Sequence, residues 1–354
     1  MKENYSIKDI ARQAGVSVAT VARALRGKPD VNRDTRDRIL SIARQHNYQP
    51  NLLARGLVTQ KTFTVGIIVP AIDNPFFPAL IKGIESTLWA SSYNVILSDT
   101  GYDPAKEEAA LREFRSRRVD GVIISPVNRI AASPWLAEIA ASRFPVVFLN
   151  RMDHTRVNAV FADDQGGAYA MTRHLLSRGH RRIVFIGNRL SSWANQERIL
   201  GYTRALAESG IGPEGVCIRQ AEGNSIESAY TCAKEMLTDG VSADAIFSFD
   251  DIMAIGIKRA LWEAGLHVPR DIGLVGFDNI DIISLPEIDL TTVDIPKREL
   301  GMEAAQLLIG LIDRSRDDDA PEEARLPAPK TVILNTTLVI RSSCGARHAT
   351  EQPR

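Results

Sequence analysis

The residues best suited to chemistry fall into two groups, and neither forms a catalytic constellation. The first is the run AGVSVATVAR at 14–23. Gly15 permits a sharp turn, Ser17 offers a hydroxyl cap, and the capped helix N-terminus that follows favours a phosphate. A tight turn ahead of a short capped helix is what a DNA-reading helix-turn-helix needs. The second group follows strand-like runs farther along: Asn74, Phe76 and Phe77, then Asn150 and Arg151, then Arg198 near a helix start, then Asp251 and Asp278. Aromatic faces stack on a small ring, while Arg and Asp make charge-assisted hydrogen bonds to its hydroxyl or carboxylate groups. Each residue has a plainer use as well. Asn74 and Pro75 suit a helix cap and first turn, one Phe suits a core, Asp251 suits the cap of the helix DIMAIG, and Asp278 suits the end of a turn.

Catalytic motifs are missing. The sequence has no GxGxxG dinucleotide loop between a strand and a helix and no GxxxxGKS/T or GxSxG stretch, and its six His occupy no metal or triad spacing. Cys217, Cys232 and Cys344 are odd in number and lack metal-ligand spacing, which reads as free thiols in a reducing compartment. The expectation is a protein that is not an enzyme and uses no cofactor and no metal.

The elements that position the first group can be read from periodicity. Ser6 and Asp9 form a capping-box pair, and Ile7, Ile10, Ala11 and Ala14 share one helical face. Val21, Ala24 and Leu25 line a second helix, and Ile39, Leu40, Ile42 and Ala43 line a third that Asn32 can cap. Charge supports the assignment. The formal net charge is zero, yet residues 1–61 carry 12 Lys and Arg against 5 Asp and Glu, and the remainder carries 31 against 38. A basic head on an acidic body suits a polyanion-binding module joined to something else. No stretch approaches the roughly 18 apolar residues of a membrane span, and MKENYSIKDI offers no signal peptide, so a cytoplasmic location without a membrane partner is expected.

The stretch IKDIARQAGVSVATVARALRGKPDVNRDTRDRILSIARQHNYQPNLLARGL resembles the LacI/GalR family over the whole head. The resemblance implies that Val18, Ala19 and Arg23 face base edges, and that Ser17, Thr20 and Asn32 meet phosphates. Apolar side chains can touch a thymine methyl, and Arg can read a guanine through O6 and N7. Ala22 stands where the family usually has Ser, so one phosphate contact is missing. The segment NLLARGL is too short to be a stable helix alone. In the family it pairs with its dimer mate in the minor groove, where a leucine wedge kinks the duplex. The matching positions are Asn51, Ala54, Arg55 and Leu57.

From residue 64 onward, apolar runs alternate with amphipathic stretches: TVGIIVP, NVILS, GVIIS, PVVFLN and VNAVFAD, then RIVFIG, VCIRQ, AIFSF and IGLVGF. Continuous apolar strands between helices describe parallel sheets covered on both faces. The fold expected is an all-α helix-turn-helix head plus an α/β core of two doubly wound parallel-sheet lobes, periplasmic-binding-protein-like by the resemblance. The boundaries are 1–49 for the head, 50–61 for a hinge helix and linker, 62–344 for the core and 345–354 for a tail. Within the core, one lobe takes about 62–162 and 291–325, and the other about 163–290 and 326–344. Such sheets bind ligands at strand carboxyl ends, and the resemblance places the second group of residues in the cleft between the lobes. Around EGNSIESAY relatives often carry an aromatic residue, where this chain has Ser225 and Ile226.

Together these features imply a ligand-responsive transcription regulator. Two chains pair through their cores over a pseudo-palindromic double-stranded operator. A sugar or sugar acid in the cleft releases the repressor; a corepressor-dependent repressor or an activator sensing a purine or another metabolite is the alternative. The tail GARHATEQPR lacks the leucine heptads of a tetramerising coiled coil, so a homodimer is expected.

Overall fold

The structure, a computed structural model, describes residues 5–25, 30–46, 48, 61–127, 133–152, 157–190, 193–315 and 328–345. Two compact units divide the chain, Met1–Thr62 and Phe63–Arg354.

The first unit is helical because each start and stop signal in its sequence is used. α1 (Ile7–Ala14) opens on a reciprocal box in which Ser6 N donates to Asp9 Oδ2 at 3.0 Å and Asp9 N donates to Ser6 Oγ at 3.4 Å. Gly15 closes it with φ of 68°, a left-handed conformation that glycine adopts without Cβ strain. α2 (Val18–Leu25) follows, and Thr20 N donates to Ser17 Oγ at 3.1 Å. Before α3 (Arg33–Gln45), Asn32 Oδ1 accepts from Asp34 N at 2.9 Å. Ile10, Val21 and Ile39 are wholly buried at the junction of the three helices. Each such side chain contributes about 1.5–3 kcal/mol, and little else holds so small a core. The polar ends of α2 are left outside.

In the second unit, β1 (Thr64–Val69) lies between β2 (Asn94–Asp99) and β3 (Gly121–Ile124), followed by β4 (Val146–Phe148) and β5 (Ala159–Ala162), all parallel. Val65–Val69 and the whole of β3 are buried, as expected of strands covered on both faces. The second lobe is a parallel sheet in the order β7 (Cys217–Ala221), β6 (Ile183–Asn188), β8 (Ala245–Ser248), β9 (Gly273–Val275). Helices α4 (Phe76–Ala90), α5 (Pro104–Ser116), α6 (Pro134–Ala141), α7 (Asp164–Ser177), α8 (Trp193–Glu208), α9 (Ile226–Thr238) and α10 (Asp251–Glu263) connect the strands, and α11 (Lys297–Arg314) comes last.

The crossovers correct two expected boundaries. β11 (Thr331–Leu334) pairs in parallel with β5, so 331–334 completes the first-lobe sheet although 326–344 was assigned to the second. Conversely, β10 (Thr292–Asp294) bridges β9 and its continuation through Val275–Thr291 and Asp278–Asp294, and pairs antiparallel with β12 (Thr337–Val339). Residues 291–294 therefore side with the second lobe, and the chain crosses only when α11 packs on α4. Backbone hydrogen-bond partners decide this, and an apolar pattern does not name them.

Several helix pairs approach closely because a glycine stands at the contact. A Cβ on Gly201 of α8 would lie 2.2 Å from Gln165 O of α7, one on Gly301 of α11 2.2 Å from Leu80 O of α4, and one on Gly256 of α10 2.0 Å from Ile226 O of α9. Backbone cannot retreat as a flexible side chain can. Gly256→Ala is therefore expected to cost about 1–3 kcal/mol by overpacking, read as a lower urea midpoint; a midpoint equal to the parent's would contradict that contact.

Candidate functional site

On the head, the exposed residues of α2 and its approach are those the sequence singles out. Ser17, Val18 and Ala19 are exposed, Thr20 and Ala22 half-buried, and Arg23 exposed and ion-paired with Asp30. Ser17 and Thr20 hydroxyls lie 2.9 Å apart, and Asn32 is exposed at the start of α3. Val18 is 41% exposed although apolar, which nothing in the three-helix core requires. Asn51, Ala54, Arg55 and Leu57 lie outside the described residues.

In the core, a cavity of about 100 Å³ opens where strands of both lobes end. After β1 come Asn74, Phe76 and Phe77; after β2, Tyr102; after β3, Ser125; after β4, Asn150. The second lobe adds Asp164 from the start of α7, Arg198 from the second turn of α8, Asn188 at the end of β6, Asn224 after β7, Phe249 and Asp250 after β8, and Asp278 after β9. Strand ends supply both walls, as the doubly wound topology dictates.

Arg198 is the best-held side chain in the cavity. Its Nε donates to Asp164 Oδ1 at 2.8 Å, Nη1 to Phe249 O at 2.6 Å and Nη2 to Asp278 Oδ1 at 3.2 Å. Phe249 and Phe277 place their rings 4.5 and 3.8 Å from its guanidinium carbon. Burial alone would lower its pKa, but Asp164 and Asp278 outweigh burial and raise it. Burial raises Asp164 and Asp250, with Arg198 opposing. It also pushes Asp278 up to about 7, again against Arg198. Across the cleft, Asn224 Nδ2 donates to Tyr102 Oη at 3.1 Å, joining the two lobes. Burial holds the Tyr102 phenol well above its usual range.

Of the residues read from the sequence, Asn74, Phe76, Phe77, Asn150, Arg198 and Asp278 meet at this cavity. Asp251 does not. It is wholly buried behind the cavity, where Oδ2 accepts from Ile280 N at 3.0 Å and Oδ1 from Thr292 Oγ1 at 2.7 Å. Its neighbour Asp250, the cap of α10, takes the cavity position. Arg151 is also displaced from the lining: exposed, it lies over the Trp193 ring at 5.5 Å. Ser225 is spent capping α9, and Asn224 before it reaches the cavity instead. Tyr102, Asp164, Asn188, Asn224 and Asp250 were missed. The strand-end rule already pointed at their loops; what it lacked was the turn geometry that selects one residue in each.

Two outcomes follow for stability. Arg198→Met keeps an apolar stem between the rings but strands Asp164 and Asp278, and is expected to cost about 3–5 kcal/mol in chemical denaturation. Asp278, raised from 3.8 to about 7, contributes stability that is fully present below the unfolded value and is lost as pH climbs through 7. Unfolding free energy measured in steps from pH 4 to 8 is expected to fall over that window, with a shallower fall in Asp278→Asn; identical slopes would contradict the assignment.

The comparisons agree with both units. Residues 62–333 match the family of periplasmic binding proteins and the sugar-binding domain of the LacI family, and residues 6–51 match the bacterial regulatory proteins of the LacI family. Catabolite control protein A of Priestia megaterium is 33% identical over 319 residues, covering 90% of this chain and 95% of that protein. The ribose operon repressor of Haemophilus influenzae is 30% identical over 341 residues, covering 96% and 98%. Among solved structures, a lac repressor dimer bound to operator and the anti-inducer ONPF superposes with a TM-score of 0.83 at 26% identity, covering 96% of this chain and 98% of that one. A helix-turn-helix head and a two-lobed ligand-binding core on one chain, matched end to end by such relatives, place this protein in the LacI family of bacterial transcription regulators.

Proposed function

We propose that the chain works as a dimeric repressor that a small polar ring compound, sugar-like in size, releases from a pseudo-palindromic operator. The observation that carries this reading is the cavity at the strand ends, whose two walls come from different lobes and touch through Tyr102 and Asn224. A ligand there contacts both lobes and so favours one lobe arrangement; equal affinity for both would shift nothing. The sugar-binding domain named for the family and the ribose operon repressor among the relatives support a sugar-like effector. Val18, Ala19 and Arg23 are assigned to base edges, Ser17, Thr20 and Asn32 to phosphates, and Asn51, Ala54, Arg55 and Leu57 to the minor groove. Arg151 is assigned to the mouth of the cleft beside Trp193.

An operator duplex selected by the protein from random sequence provides the test. Arg23→Ala is expected to weaken binding roughly 10- to 100-fold and to relax preference at one base pair. Affinity is expected to fall steeply with salt as phosphate contacts are screened. Titrating a sugar panel into the complex is expected to release DNA, read by gel shift; tighter binding would replace induction by corepression.

A further inference from the structure

We propose that the effector carries a protonated amine, as an amino sugar or another amine-bearing ring of that size does, and that the ammonium seats against Asp250 and Asn224. The inference rests on the reading of the cleft as the effector site. Asp250 is 1% exposed and lines the cavity. Its Oδ1 is committed to Met253 N at 2.7 Å, whereas Oδ2 is buried and makes no hydrogen bond of good geometry, although the Asn224 amide and the Ile252 N–H lie close enough to the carboxylate to oppose the effect of burial on its pKa. Asn224 spends its Nδ2 on Tyr102, and its Oδ1 is likewise buried without a partner. The free polar atoms at this point are therefore acceptors, one of them on a carboxylate.

The charge around them has the same sign. Among the described residues the cavity lining holds Asp164, Asp250 and Asp278 against one cation, Arg198, which is already bonded to Asp164, Asp278 and Phe249 O. Of the cations outside the lining, Lys297 is turned to the carbonyls of Asp278, Asn279 and Ile295, and Arg151 lies exposed over the Trp193 ring. Asp251, behind the wall, adds no positive charge, and burial raises it well above the carboxylate range. A buried carboxylate whose nearby cation, Arg198, is bonded to two other acids is only partly compensated, which is costly. A ligand hydroxyl donates once and brings lone pairs of its own, whereas an ammonium donates three times, accepts nothing and supplies the missing charge. Phe76, Tyr102 and Phe249 add ring faces to which a cation is attracted. A carboxylate or phosphate on the ligand would meet like charge, which disfavours the sugar acid that the presence of two Arg suggested.

Full-length protein and Asp250→Asn provide the test, with glucosamine, galactosamine and mannosamine compared with glucose, galactose and mannose and with the matching aldonic acids. At least one amino sugar is expected to raise the thermal midpoint and to bind roughly tenfold or more tighter than its parent sugar and its acid, a preference lost in Asp250→Asn and reduced in Asn224→Leu. Without ligand, Asp250→Asn is expected to raise the midpoint, because Asn caps a helix as well as Asp does while the uncompensated charge is gone. A parent sugar or an acid binding at least as tightly, no shift with any amino sugar, or a lowered midpoint in ligand-free Asp250→Asn would overturn the inference. A neutral sugar that releases operator DNA would remove the amine and leave the regulator reading standing.

Discussion

The clamp on Arg198 is the contact on which the cleft depends. One guanidinium, between two aromatic faces, ties the start of α7, the end of β8 and the turn after β9 to the second turn of α8. Each of those segments is a loop or helix end that packing alone would leave several ways to lie. A planar fork with fixed donor directions selects one arrangement. The acids pay for this with raised pKa values, since burial disfavours their charge and a single cation must serve more than one of them.

Around the clamp the backbone is held in conformations that local preference would not choose. Asp278 and Asn279 have φ of 102° and 53°, a strain on the order of 1–3 kcal/mol for each such non-glycine residue. Lys297 Nζ donates to Asn279 O at 3.1 Å, and Arg341 donates from Nη2 to Asn279 Oδ1 at 2.9 Å and from Nη1 to Leu290 O at 2.6 Å. Lys297 is the first residue of α11, and Arg341 follows β12. The strained turn that presents Asp278 is thus fixed by chain at the two ends of the passage between the lobes.

The contrast between Asp250 and Asp251 shows how function and structure divide adjacent, chemically identical side chains. Asp251 has both oxygens satisfied, by Ile280 N and by Thr292 Oγ1, and acts as a strut. Asp250 has one oxygen in a helix cap and one left over. A buried acceptor without a well-formed partner is a standing cost to the fold, and this one stands at a cavity wall.

Local signals were enough for the head and for the strand order of events along the core. The Ser6–Asp9 box, Gly15, Ser17 and Asn32 state helix ends through bonds that span only two to four residues, so they can be read directly from sequence. Continuous apolar runs such as GIIV and GVII state buried parallel strands for the same reason. Tertiary structure decided which lobe receives 291–294 and 331–334, because strand pairing joins residues that are not neighbours in sequence, as Thr291 does with Val275 and Thr331 with Ala159. It also decided that Asp250 rather than Asp251, and Asn224 rather than Ser225, face the cavity. Along a helix start successive residues point about 100° apart, so a one-residue choice of cap turns one carboxylate toward the cavity and the next into the wall, and only the packed turn fixes that choice.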